Sequence, residues 1–185
     1  MRVLIFFSSF IFALPVFAGL YGEFNGFYMT DTFVQDTTSQ NSKTFYALDV
    51  YANLENKHFL FGGFHVDQVN LQENDGTTTK TLTSLNMGPM LLWVIGKSKI
   101  FSWSVGYNLV ANGTYNDGTS EKTLTGTGVH STISAMPEIA ENFYLGLKLN
   151  YYSLNYNKSV VDNSSSDVTY SRTLIFPSFG MAWRY

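Results

Sequence analysis

"FPSFGMAWRY", residues 176–185, decides how this chain is read. Through it runs an alternating row of Ile175, Pro177, Phe179, Met181, Trp183 and Tyr185, where most folded domains finish on a loosely held polar tail. Apolar residues at every second position mark a β-strand with one apolar face. The chain therefore reads as ending inside a strand, and the rest of the sequence has to supply the reason.

The opposite end begins "MRVLIFFSSFIFALPVFAG", with a single early cation at Arg2, an apolar stretch from Val3 to Phe12, and Val16-Phe17-Ala18 as a cleavage boundary. This is the pattern of a secretory signal peptide, cut after Ala18. About a dozen strongly apolar residues precede Pro15, short of the roughly 20 that a membrane-spanning helix needs. The expected organisation is a signal peptide at 1–18 and one domain at 19–185. Without residues 1–18 and their one charge, the 185-residue chain of net charge −3 becomes 167 residues of net charge −4. Such a balance gives a nucleic-acid partner no electrostatic support. The chain has no cysteine, so neither disulfides nor thiolate metal sites enter the fold. Aromatic residues make up 17% and charged residues 14%, yet no long apolar run follows residue 18. Period-2 patterning hides apolar surface in that way.

Alternation predicts eight strands, at about 20–34, 43–54, 58–70, 81–95, 100–112, 122–139, 142–156 and 168–185. The connections take turns between long and short: "QDTTSQNS", "ENK", "LQENDGTTTK", "GKSK", "GTYNDGTSE", "AEN" and "NKSVVDNSSSD". An up-and-down meander in an outer membrane has tight turns on one side and longer polar loops on the other. The predicted fold class is all-β: an eight-stranded antiparallel up-and-down transmembrane barrel.

Each strand then divides into two faces. One is apolar, as in Leu85, Met87, Leu91 and Trp93, or Phe101, Trp103, Val105, Tyr107 and Leu109. A soluble lipocalin-type barrel would show the same stripes with the apolar side inward, so the aromatics decide the matter. Trp93, Trp103 and Trp183 sit on the apolar face near the short turns or the C-terminus, with Tyr185 at the same rim. Tyr28, Tyr46, Tyr107 and Tyr151 sit on that face near the long loops. Two aromatic belts around an aliphatic band are what a lipid-facing surface requires.

On these features, over the whole length after residue 18, the chain resembles the small bacterial outer-membrane β-barrels of the eight-stranded OmpA/OmpX-like type. The resemblance implies that the terminal strand, Phe176 to Tyr185, is read by the barrel-assembly machinery, with Tyr185 as the terminal aromatic. The chain would then close its barrel and carry its address in one strand. Outer-membrane lipids and lipopolysaccharide are the expected surroundings of a monomer.

The polar face should line the lumen with a bracing network: Glu23, Asp49, His65, Asp67, His130, Glu138, Lys148, Arg172 and Arg184. Glu23 and Arg184 are expected to meet in one layer, with Glu138 as a second acceptor. His65, His130 and Asp67 lack the spacing of a zinc motif, with His65 expected toward the outer rim and His130 at mid-height, so no metal or cofactor is expected. A lipid A-modifying enzyme would need a Ser/His pair at the lipid-facing surface. His130 and Ser131 point to opposite faces, and His130 and Ser134 share the lumen. No catalytic residue is predicted. The sequence reads as a non-enzymatic barrel presenting four polar loops, for envelope integrity, adhesion or surface interaction, with a narrow passive channel as the alternative. Bulges are expected at Pro89 and Pro177, which remove backbone donors, and phase changes in strands one and six, whose apolar faces are weak.

Overall fold

The structure is a computed structural model that describes residues 19–34, 38–54, 59–74, 76–161 and 164–184. The signal segment with its boundary at Ala18, and Tyr185, lie outside the described residues. The elements are β1 (Leu20–Val34), β2 (Thr38–Asn53), β3 (Leu60–Asn74), β4 (Thr79–Ile95), β5 (Phe101–Asn116), β6 (Glu121–Ala135), a three-residue β7 (Glu138–Ala140), β8 (Phe143–Val161) and β9 (Ser164–Arg184). Every long strand pairs antiparallel with its neighbour, β6 reaches past β7 to β8, and β9 returns to β1. The eight long strands thus form a closed up-and-down barrel, which leaves no backbone edge in its lower wall to be satisfied by water.

The expected long loops are instead continuations of the strands. β3 and β4 pair out to Asn74 and Thr79, and β8 and β9 out to Val161 and Ser164. Their Thr, Ser and Tyr content suits a half-solvated pleated surface. Two of the tips share an Asn-Asp-Gly triplet. Asn74 accepts a hydrogen bond from Gly76 N (2.8 Å) and Asn116 from Gly118 N (2.7 Å), and both glycines have φ near +90°. Only glycine adopts that backbone cheaply, which is why these triplets turn the chain so tightly.

Two bulges adjust which side chains face inward. On β5 one extra residue lies between Asn108 and Ala111, so the buried phase passes from Asn108 to Ala111. On β8 the register slips between Tyr156 and Lys158, and the buried phase passes from Tyr156 to Ser159. Gly88 and Gly126 face these bulges, where an added β-carbon would collide with the carbonyl oxygens of Tyr107 and Asn155. The phase changes expected for strands one and six therefore fall on β5 and β8. β6 keeps Leu124, His130, Thr132 and Ser134 inward throughout.

Three prolines lie at three irregularities. Pro89 lies where β4–β5 pairing slips between Met87 and Met90. Pro177 makes no bulge but lies just past the end of the β1–β9 ladder, whose last pair is Gly26 with Phe179. Continuing that register would set Pro177 opposite Tyr28, and proline has no N–H to offer there. Pro137 ends β6 early, so Met136 turns into the interior and Glu138 leaves the long strand.

Candidate functional site

The lumen is filled in three layers. At the short-turn end Tyr21, Tyr51, Phe61, Leu92, Val94 and Met136 form an apolar cluster. At the hairpin end Phe45, Val69, Leu82, Leu154, Leu174 and Phe176 form another. Between them lies a polar layer in which buried charge is paired or hydrogen-bonded, as a low-dielectric interior demands.

That layer has two centres. In the first, Lys148 is ion-paired with Glu23 and lies 3.8 Å from Asp49. Tyr21 donates to Glu23 (2.5 Å) and Asn25 Nδ2 donates to Asp49 (2.9 Å). In the second, Asp67 accepts from Asn86 Nδ2 (2.7 Å) and the Tyr152 hydroxyl (3.1 Å), and His65 Nε2 stands 3.6 Å away. His65 Nε2 is 2.6 Å and His130 Nδ1 3.3 Å from the same acceptor, Asn108 Oδ1. The two imidazoles meet edge to face at 4.1 Å, and His130 stacks on Tyr152 at 5.1 Å. The histidines thus stand at one height, unlike the separate levels expected from sequence.

Three expected members of the network lie elsewhere. Glu138 is exposed and accepts from Asn142 N in a tight turn (2.8 Å). Arg172 is half-exposed among the hairpins and pairs with Glu73 at 3.4 Å. Arg184 is on the inward phase beside Glu23's strand, but its guanidinium lies over the rings of Tyr21 (4.9 Å) and Tyr144 (4.0 Å) and donates to Lys99 O (3.0 Å). Glu23 takes Lys148 instead. A two-strand reach of this kind leaves no signature in sequence spacing. Tyr21 and Asn25, two residues either side of Glu23, share its inward phase, and that period of two is the signal by which they could have been found.

His130 and Ser134 both face the interior and are buried, while Ser131 lies on the outer phase and accepts from Trp103 Nε1 (2.8 Å). Among the described residues no group of three or more His, Cys, Asp or Glu side chains is placed to hold a metal ion. Asp117 ties down its own hairpin tip by accepting from Thr119 Oγ1 (2.7 Å) and N (3.0 Å) and from Ser120 N (2.9 Å). These donors, the Thr119 hydroxyl foremost, hold its carboxyl well below the usual carboxylate range.

The outer surface is the reverse of a soluble protein's. Leu91, Leu109, Ile133, Leu147 and Leu149 are exposed. Trp93 and Trp103 pair directly across β4 and β5, and Trp183 packs on Phe143 (4.9 Å) at the same short-turn rim. Tyr28, Tyr46, Tyr107 and Tyr151 are exposed on the outer face toward the hairpins. An apolar band bordered by aromatic rings is the surface of a barrel solvated by lipid.

The fold is that of a small outer-membrane β-barrel. It is similar to the crystal structure of Neisserial surface protein A (NspA), with a TM-score of 0.54 and 13% identity, over 91% of this chain and 99% of that one. A more distant likeness is to the translocator domain of the autotransporter NalP from Neisseria meningitidis, with a TM-score of 0.39 and 12% identity, over 89% of this chain and 61% of that one. No protein-family model matches the chain, and no curated protein sequence matches it significantly.

Proposed function

We propose that the protein is a non-enzymatic integral outer-membrane barrel that presents four polar β-hairpins at the cell surface, for envelope integrity, adhesion or surface interaction. Residues 1–18 direct its export and are removed after Ala18. The terminal strand from Phe176 to Tyr185 engages the barrel-assembly machinery. The mature chain stands as a monomer among outer-membrane lipids and lipopolysaccharide.

The observation that carries this reading is the layering of the lumen. Its charged middle is closed above and below by apolar clusters, which suits a rigid support and weighs against the rival reading, a narrow passive channel. The histidine and serine that an acyl-transfer enzyme would use face this filled interior, away from lipid substrate. The hairpins are rich in Ser, Thr and Asn and extend the wall beyond the apolar band, so the polar surface available for contact is there.

An epitope inserted after Gly118 tests the topology, and mass spectrometry of the outer-membrane fraction tests the export step. Antibody binding to intact cells and a mature chain beginning at Gly19 are expected. An epitope reached only after permeabilisation, or an intact Met1 terminus, contradicts the reading.

A further inference from the structure

The wall of the barrel is open on one side. β1 and β9 share only six pairs, from Tyr21 with Arg184 to Gly26 with Phe179. Beyond them β1 continues to Val34 paired with β2, and β9 runs back to Ser164 paired with β8. Among the described residues no pairing joins β1 to β9 above Gly26, so the two strands border a slit.

The slit leads to a cavity of about 90 Å³ that has both strands in its lining, with Phe27 on one side and Thr173 to Phe176 on the other. Its inner wall is apolar, formed by Phe27, Phe45, Val69, Leu71, Leu174 and Phe176, and Lys43, Thr44 and Thr173 make the rest of it polar. Outside, the slit begins between Tyr28 and Phe179, which are 70% and 68% exposed, and runs from within the lipid-facing band toward the hairpins. Ile175, 67% exposed on the outer face, also lines the cavity and brings its wall to the lipid-facing side.

Its one charged wall residue is Lys43, which also lines an adjoining hollow of about 260 Å³ further out. Glu73, in that hollow, is paired with Arg172. Among the described residues Lys43 has no ion-pair partner. A positive charge at headgroup level beside an apolar recess is complementary to an amphiphile with an anionic head.

We infer that the slit binds a single-chain anionic amphiphile from the surrounding leaflet, its head beside Lys43 and its chain passing between β1 and β9. A space of about 90 Å³ is that of about three waters. It holds only the carbons next to the head. The remainder of the chain lies outside, along Pro177 and Phe179, in the lipid it came from. This adds a ligand to the proposed anchor and depends on that reading only for the source of the amphiphile.

A fatty acid carrying a photoactivatable diazirine near its carboxylate, incorporated in phosphatidylcholine vesicles with the purified full barrel, tests the site. Peptides are mapped by mass spectrometry after illumination. Labelling of 27–29 and 173–177 is expected at least about tenfold above that of 145–151, an equally exposed stretch of the lipid-facing wall. It should fall to the level of 145–151 in Lys43→Glu, and also when the methyl ester of the probe replaces the acid. Thr173→Trp, on the rim of the cavity and outside its packed wall, should abolish the preference by filling the slit, and it decides the question if Lys43→Glu does not fold. Labelling spread evenly around the barrel, or a preference that survives both Thr173→Trp and the methyl ester, overturns the inference. Vesicle insertion alone is enough for the assay, so that failure would leave the anchor reading standing.

Discussion

Lys148 on β8 reaches across β9 to Glu23 on β1, and Gly180 of β9 lies beneath its stem. A β-carbon at residue 180 would stand 3.0 Å from Lys148 Cδ and 2.7 Å from Asn25 Oδ1. Both charged partners are buried, at 5% and 2% exposure. The glycine leaves the space through which two strands that do not pair are joined by charge.

Breaking this pair from one side leaves an uncompensated buried ion. Lys148→Met or Glu23→Gln should each cost about 3–5 kcal/mol in urea unfolding of the detergent-solubilised barrel. The double variant should cost clearly less than the two singles combined, because Glu23 and Lys148 no longer leave each other unpaired. By contrast, Glu23→Ala and Arg184→Ala should couple only weakly, since Arg184 is held by Tyr21, Tyr144 and Lys99 and meets Glu23 only through their shared neighbour Tyr21. Strong coupling in that second cycle would show the pairing to be wrong.

Gly106 is a second space-making residue. The His130 ring lies directly against it, held from the other sides by His65 and Tyr152. Gly106→Ala should therefore destabilise by about 1–3 kcal/mol through overpacking. Combining it with His130→Ala should recover much of the loss. A Gly106→Ala barrel as stable as the parent would mean the ring is free to move.

The three tryptophans should report one depth. Variants retaining only Trp93, Trp103 or Trp183, reconstituted with lipids brominated at different carbons, should be quenched most by bromines near the headgroup and with matching depth profiles. Quenching greatest at the bilayer centre, or three different depths, contradicts the shared rim.

Asp117 gives a pH signature outside the membrane. Its folded-state pKa is depressed, so the stability it gives its hairpin tip is fully present above the unfolded value of about 4. That contribution declines as pH falls below the unfolded value and is gone once pH has fallen through the lower folded value. Carboxyl NMR of a selectively labelled barrel should show Asp117 titrating below ordinary aspartates, and Thr119→Val should move it back up. An ordinary titration would show that the tip bonds do not persist in solution.

Much of this is legible in the sequence because a strand has a period of two. A residue's face follows from counting, so the belt from Trp93 to Trp183 and the inward placement of Asp49, His65, Asp67, His130 and Lys148 can be read directly. Partners are another matter. Which cation meets Glu23 depends on reach across β9 and on the absence of a side chain at Gly180, and no local pattern records either. Glu138 departs from its expected place because Pro137 ends β6, and Arg172 because the inward phase continues beyond the packed lumen into solvent. The hairpin tips read as loops because polar Ser/Thr strands lack the apolar stripe that marks a strand elsewhere.

The central claim is that the layered lumen is a filled brace, with the barrel serving to hold its hairpins at the surface. The most direct test is the conductance of the purified full barrel in a planar lipid bilayer, with insertion verified independently. The layered packing predicts a silent membrane at every voltage the bilayer tolerates. Reproducible, resolvable ion steps that disappear when the barrel is unfolded would contradict it, and would make the polar layer of Glu23, Asp49, Asp67 and Lys148 the lining of a conduit.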